Sequence, residues 1–319
     1  MSEAAVPLPL PGEPEEGAPA RWRADAGLVV AAFFFGTTFV VVQDAVETAD
    51  PLPFIAARFL IAAAVLWLVG RRRPPTRRER RDGVAAGAAL LTGYVLQTVG
   101  LQYTTPSTSA FITYLLVVFV PLLSLAVLRR RPHPLTLVGL VIAVAGLALL
   151  TGGAGVSFGR GEVLTLGCAL AFAVHLVIVG ETAGRHDAIR YTCVQVTTVG
   201  VASLVAALVS GGLAMPARAL AAAAFTGVFA TALAFFAMVW AQRVVSPSRA
   251  ALILLLEPVF AALLAWVTGA SLPASAVAGG LLILLAVVVA EVVPAWLANR
   301  STASGGRRRG EGPAHAGPY

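Results

Sequence analysis

Glu257 stands near the middle of an apolar run, eight residues after Arg249 and eleven before Thr268, and Pro258 follows it. A carboxylate at that depth in a membrane helix costs roughly 2.5–3.5 kcal/mol on insertion scales, so a partner or a function must offset it. Two readings fit: a site for a substrate amine or a proton, or a structural carboxylate that is protonated or paired inside a bundle. Pro258 removes a backbone hydrogen bond from the preceding turn and predicts a kink there. Arg58 is the one arginine inside an apolar run, about two turns from its outer end. It could pair with Glu257, hold an anionic group of a substrate, or snorkel towards the headgroups. His175 could relay protons near neutral pH, or serve as a hydrogen-bonded bundle residue. Gln97 and Gln195 suit interhelical hydrogen bonds or a polar cavity wall. Tyr114 and Trp240, with Tyr94 and Thr113, offer aromatic or hydroxyl surface, and packing is the plainer reading of each.

The elements that position these residues follow from the solvent the sequence requires. The chain is 58% hydrophobic and 12% charged, against about 45–50% and about 25% in ordinary soluble domains. Its charges cluster and leave apolar runs of the length that spans a bilayer as helix, about 17–25 residues. Ten spans are predicted: 27–43, 52–70, 83–101, 106–128, 134–151, 161–180, 190–210, 217–241, 248–268 and 273–293. Prolines open several of them, at Pro51, Pro106, Pro216, Pro247 and Pro273, where a missing N–H costs little. Residues 1–26 and 294–319 read as disordered cytoplasmic tails flanking two five-helix units, 27–151 and 161–293. Asp25 and Glu291, close to span ends, are expected to reach headgroups.

The basic residues orient the spans. All 23 are arginine, which excludes Schiff-base chemistry on lysine. With the N-terminus inside and strict alternation, twenty fall in cytoplasmic segments, Arg160 and Arg218 fall outside, and Arg58 lies within a span. Omitting any one helix destroys this bias, so the split predicts ten spans with both termini cytoplasmic. It also reads the net charge of +7 as topology rather than as a nucleic-acid surface.

The second half repeats the first. Residues 106–147 align without gaps on 247–288 with 14 identities in 42 positions, among them Pro106 with Pro247, Pro132 with Pro273 and Gly139 with Gly280. Five helices separate the copies, so they cross the membrane in opposite senses. Inverted repeats of this kind place a binding site near the midplane between halves that rock to alternate access. Gly83 and Gly87, Gly139 and Ala143, and Ala276 and Gly280 give small-residue faces that could pack within one chain or make a homodimer through the fifth or tenth helix.

Several chemistries are absent from the sequence. No GxxxxGK[ST] loop, HExxH motif or paired intramembrane carboxylates occur. Cys168 and Cys193 form no metal-ligand pattern and read as inert packing residues. No catalytic residue, metal or cofactor is expected. A secondary carrier of a small molecule therefore leads, with protons as a conceivable coupling ion. A membrane-embedded enzyme, a channel, or a carrier of larger or lipid-like substrates is the alternative.

Three stretches resemble the EamA family of the drug/metabolite transporter superfamily. They are Ser248 to Trp266 with its Glu-Pro-Val-Phe core, Ser109 to Pro132 in the first half, and Phe35-Gly-Thr-Thr-Phe39 with Arg58. The resemblance covers residues 27–293. It implies a ten-helix inverted-repeat permease of the plasma (bacterial inner) membrane that moves amino acids or related metabolites, with export favoured. It further implies a cavity lined by helices 1–4 and 6–9, with 5 and 10 peripheral. Glu-Pro-Val-Phe is shared by relatives of different substrate, so the resemblance assigns Glu257 to the transport cycle or the fold more than to selectivity. Thr268-Gly-Ala-Ser271 lacks the glutamate that relatives often carry after this glycine, so a function of that glutamate does not carry over.

Overall fold

The computed structural model describes residues 20–46, 49–129, 134–152, 159–269 and 271–293. Most of both predicted tails, Arg130 to His133, the 153–158 loop and the side chain of Glu291 lie outside the described residues. Every regular element among the described residues is helical. The first is α1 (Arg21–Val46), followed by α2 (Pro51–Val69) and α3 (Arg77–Gly100). A broken pair follows, α4 (Pro106–Tyr114) and α5 (Leu116–Leu128), and then α6 (Pro134–Leu150). Next come α7 (Arg160–Thr182) and α8 (Ala188–Ser210). The rod after α8 starts as α9 (Ala217–Thr226), widens into a π-helical segment (Gly227–Leu233) and ends as α10 (Ala234–Ala241). A second broken pair, α11 (Pro247–Leu254) and α12 (Glu257–Val267), precedes α13 (Ala274–Val287), which runs on as π-helix to Val292.

Seven stretches among the described residues are long and apolar enough to cross a membrane, and Pro134–Leu150 and Ala274–Ala290 are shorter apolar helices. Val127, Val141, Val209, Val267 and Leu281 are each more than 60% exposed. Isolated exposed apolar residues are ordinary, but a belt of them on long apolar helices belongs against lipid. Together with the apolar composition, this makes the chain an integral membrane protein.

α1 begins at Arg21, six residues before the predicted span and inside the predicted tail. The early start has a visible cause: Asp25 does not reach for headgroups but forms a bidentate pair with Arg249 on α11, at 2.8 and 2.6 Å. The chain's first turns are thereby tied to its last third.

The two broken rods correspond in their caps and in where they break. The alignment that joins Pro106 to Pro247 also joins the helix caps Thr105 and Ser246, whose side chains accept from Thr108 N and Arg249 N. It joins Leu115 to Leu256 as well, and both helices break there. In each case a proline lies shortly after the break, Pro121 inside α5 and Pro258 at the start of α12, and removes an N–H that a continuous helix would use. Tight i→i−3 bonds bridge the breaks, from Leu115 N to Ile112 O at 3.1 Å and from Leu256 N to Ile253 O at 3.1 Å.

Packing pairs the elements in a matching way. α2 lies along α8, and α6 along α13. α3 packs on α7 as the α9–α10 rod packs on α1, and the α4–α5 pair meets α7 as the α11–α12 pair meets α1. The small-residue faces make these approaches close. A Cβ on Gly146 would lie 2.8 Å from Gly279 O, and one on Gly139 would lie 2.7 Å from Ala290 Cβ. The α6 face is thus used within the chain, and on α13 Gly279 rather than Gly280 makes the close approach, so a dimer through either helix would need its outer surface. Gly146→Leu should force α6 off α13. Overpacking of this kind costs about 1–3 kcal/mol, so a melting midpoint in detergent several degrees lower is expected, with the ligand site, built from other helices, intact.

Candidate functional site

The break before α12 places Glu257 at that helix's first position. There the unpaired N–H groups and the helix dipole favour a negative charge, and Pro258 gives up an N–H that is free in any case. The kink predicted from Pro258 is therefore present, and it aims the glutamate into the bundle. Gly36 on α1 sets how near this turn can come, because a Cβ there would collide with the carbonyl oxygen of Glu257.

Glu257 faces a cavity of about 230 Å³ bounded by α1–α5, α7 and α10–α12. Arg58, Gln97, Tyr114 and His175 share it, so five of the seven residues singled out by sequence line one space. The hydroxyl of Tyr114 interacts with the Glu257 carboxyl. Gln97 Nε2 donates to Thr113 Oγ1 at 3.4 Å, and Thr113 contacts Cys168 Sγ at 4.0 Å. Gln195 stands one layer back on α8, fully buried, with its Oε1 2.8 Å from His175 Nε2. Trp240 is elsewhere: it does not line the cavity, and its ring covers Gly27, where a Cβ would sit 3.3 Å away. Tyr94 and Thr113 line the cavity as well.

Arg58 takes none of the simplest courses. It is 7% exposed, so it does not snorkel. Among the described residues it forms no ion pair with Glu257. Its Nε donates to Thr231 Oγ1 at 2.7 Å. Thr231 belongs to the π-helical segment and itself donates to Thr226 O, five residues back, at 3.2 Å. A π-bulge of this sort widens the helix and frees groups for other partners. Here it brings a hydroxyl to the guanidinium from the opposite half of the chain. The two elements nearly touch, since a Cβ on Gly227 would be 2.7 Å from Arg58 O.

An aromatic wall joins the charged groups, and sequence reasoning missed most of it. Phe35 meets Phe235 edge-on at 5.2 Å, Phe235 approaches Phe59 at 6.2 Å, Phe59 meets Tyr94 at 5.2 Å and Tyr94 meets Phe172 at 5.5 Å. His175 stands edge-on to Phe235 at 6.1 Å. These rings come from five helices. No local spacing in the sequence announces them.

One end of the bundle is closed by two ion pairs and a histidine–carboxylate hydrogen bond. Besides Asp25 with Arg249, Arg190 Nη2 pairs with Glu79 Oε1 at 3.0 Å, and His186 Nε2 lies 2.9 Å from Asp82 Oδ2. Each pair joins a residue before 152 to one after 159. Beneath the cavity, Gln242 Nε2 donates to Leu176 O at 2.9 Å. The other end, where Val42 and Ala110 reach the cavity, is held more lightly. There Thr104 Oγ1 donates to Glu162 Oε1 at 2.6 Å, and Arg160 sits 4.6 Å over the Tyr103 ring.

The model of the EamA-like transporter family matches the chain twice, over residues 22–152 and 159–291. The chain belongs to the EamA-like transporter family. Its relatives among curated proteins carry transporter names. An uncharacterized transporter of Archaeoglobus fulgidus is 32% identical over 84% of this chain and 86% of its own length. The uncharacterized inner membrane transporter YedA of Escherichia coli strain K12 is 27% identical over 72% and 78%. A solved crystal structure, 19% identical, aligns over 87% of this chain and 99% of its own with a TM-score of 0.76, a likeness of fold. As an EamA-like protein, the chain is a membrane transporter. Its cavity departs from the expected lining in one respect: α8, the seventh predicted span, contributes only through Gln195 behind His175.

Proposed function

We propose that this EamA-like protein is a secondary carrier for a small zwitterionic metabolite of the amino-acid class, working by alternating access in the bacterial inner membrane, with export favoured. One observation carries the reading: Arg58 from the first family match and Glu257 from the second face one aromatic-walled cavity without pairing directly with each other. A zwitterion completes both at once, carboxylate to Arg58 and ammonium to Glu257, and its side chain rests on the rings. The rings also favour the ammonium by cation–π attraction. The cavity volume is below the roughly 300–1,000 Å³ of pockets for drug-sized ligands, which suits a small metabolite.

The carrier has ten spans in two inverted halves, 27–151 and 161–293, with both termini cytoplasmic. The distribution of arginine, the double family match and the corresponding breaks at Leu115 and Leu256 support this. In that orientation the two ion pairs and the His186–Asp82 hydrogen bond close the cytoplasmic end, and the Thr104–Glu162 hydrogen bond marks the outer end. Rocking the halves would break one set and make room at the other. Glu257 and His175 are the groups at which a proton could couple to the cycle. If Glu257→Gln retained the full pH dependence of flux, coupling at Glu257 would be wrong.

The experiment that tests the proposal is counterflow in proteoliposomes over labelled amino acids, the matching amines and acids, and other small metabolites. Saturable counterflow of zwitterions above their single-charge analogues is expected. Exchange of none of these classes by folded protein, or a flux that never saturates, would overturn it. A second outcome concerns the closed end. The Asp25–Arg249 pair is about a quarter exposed, and such a pair is worth up to about 1 kcal/mol. Asp25→Asn should therefore shift the population of inward-open protein by roughly two- to fivefold, read as faster labelling of a cysteine at Met238 from the cytoplasmic side.

A further inference from the structure

A second cavity, about 570 Å³, lies apart from the first, in the cleft between α2, α3 and α8. Its walls are apolar side chains that include Leu66, Trp67, Val84, Val194 and Val201, and basic residues stand at one end. Those residues are not equivalent. Arg190 is engaged, with Nε and Nη2 both on Glu79 at 3.2 and 3.0 Å. Arg73 and Arg80 are exposed and form no ion pair among the described residues. An apolar channel ending in two unneutralised guanidinium groups has the polarity of a lipid molecule, with a chain along the channel and an anionic headgroup at its mouth.

The dimensions agree. The cavity follows α8 from Arg190 to Ala202, twelve residues or about 18 Å of helix. One leaflet of a bilayer has about 15 Å of hydrocarbon. Trp67, 40% exposed, lies near the arginine end, the level at which tryptophan settles in a membrane. Small side chains shape the floor. Gly70 leaves the mouth open beside Ile189, and the part-exposed Cys193 turns its Sγ to Ala63 O at 3.6 Å. Gly83 and Gly87 let α3 settle onto Val194 and the Gln195 backbone.

We propose that this cleft is a binding site for one anionic phospholipid, with an acyl chain between α2 and α8 and the phosphate held by Arg73 and Arg80. Guanidinium groups suit phosphate oxygens through paired donors, and basic clusters at the membrane surface select anionic over zwitterionic lipid. α2 and α3 precede residue 152 and α8 follows residue 159, so a lipid here bridges the two matched units beside the Glu79–Arg190 pair. Resting on the carrier reading above, the site makes flux depend on anionic lipid.

Native mass spectrometry of the full chain in detergent, titrated with phosphatidylglycerol or phosphatidylcholine of identical chains, tests it. Phosphatidylglycerol should be retained at least fivefold better, at one molecule per chain. The double substitution Arg73→Gln with Arg80→Gln should erase that preference while the melting midpoint holds, because both side chains are exposed. Ala202→Phe, which narrows the channel but keeps the arginines, should weaken both lipids. Equal retention of the two lipids would overturn the proposal. So would a preference that survives loss of both arginines, full competition by inorganic phosphate, or a second protein chain in place of lipid. These readouts need no transport, so they stand or fall separately from counterflow. Where counterflow is present, liposomes with phosphatidylglycerol should support several-fold faster exchange than phosphatidylcholine alone, and the double variant should lose the difference.

Discussion

Glu257→Gln is expected to lower saturable counterflow at least tenfold, and Glu257→Ala further, in protein that still inserts and folds. The carboxylate sits at the first position of α12, faces the cavity and interacts with the Tyr114 hydroxyl. A charged hydrogen bond contributes about 1.5–3 kcal/mol, which is about one to two decades in affinity for an ammonium group. The amide keeps the shape but loses the charge. Neutralising a carboxylate within the membrane also removes an insertion cost of about 2.5–3.5 kcal/mol, so yield and melting midpoint should hold or rise. Those two readouts separate a ligand from a strut. A strut would show the reverse, unchanged flux or a fall in stability equal to the fall in flux.

Arg58→Ala is expected to lose the preference for zwitterions over the matching amines, with apparent affinity for the zwitterion down at least tenfold. The guanidinium is held by Thr231 through Nε, and its terminal nitrogens are left to approach a carboxylate in the paired geometry that lysine lacks. Arg58→Lys should therefore restore charge but recover only part of the affinity. Concentration-dependent counterflow with an amino acid and its decarboxylated analogue measures this directly. Equal losses for both compounds would mean that Arg58 does not read the carboxylate.

Some of this was legible in the chain and some was not, for physical reasons that differ by residue. The all-helical membrane character was legible because lipid enforces apolar runs. The kink at Glu257 was legible from Pro258, whereas the break at Leu115 was not, because the repeat puts Val117 opposite Pro258 and Pro121 stands six residues on. The site clustered largely as expected because polar residues in membrane helices turn inward to avoid lipid. Thr231 was not legible. A threonine in an apolar helix usually bonds its own backbone, and nothing in Gly227–Leu233 advertises a π-helical segment. Nor was the pairing of Asp25 with Arg249, which depends on two helix ends meeting across 224 residues. Trp240 could not be placed from sequence, because an aromatic ring near a cavity and one over a glycine have the same local sequence.

Cysteine accessibility tests the central claim, that one cavity serves both sides of the membrane in turn. In protein with Cys168 and Cys193 replaced, single cysteines at Val42 and Met238, towards opposite ends of the cavity lining, would be treated with a membrane-impermeant thiol reagent from one side at a time. Alternating access predicts reciprocity: conditions that speed labelling at Met238 from the cytoplasm, such as Asp25→Asn, slow labelling at Val42 from outside. Rapid labelling of both positions together, with no exchange between them, would contradict a carrier and describe an open channel instead.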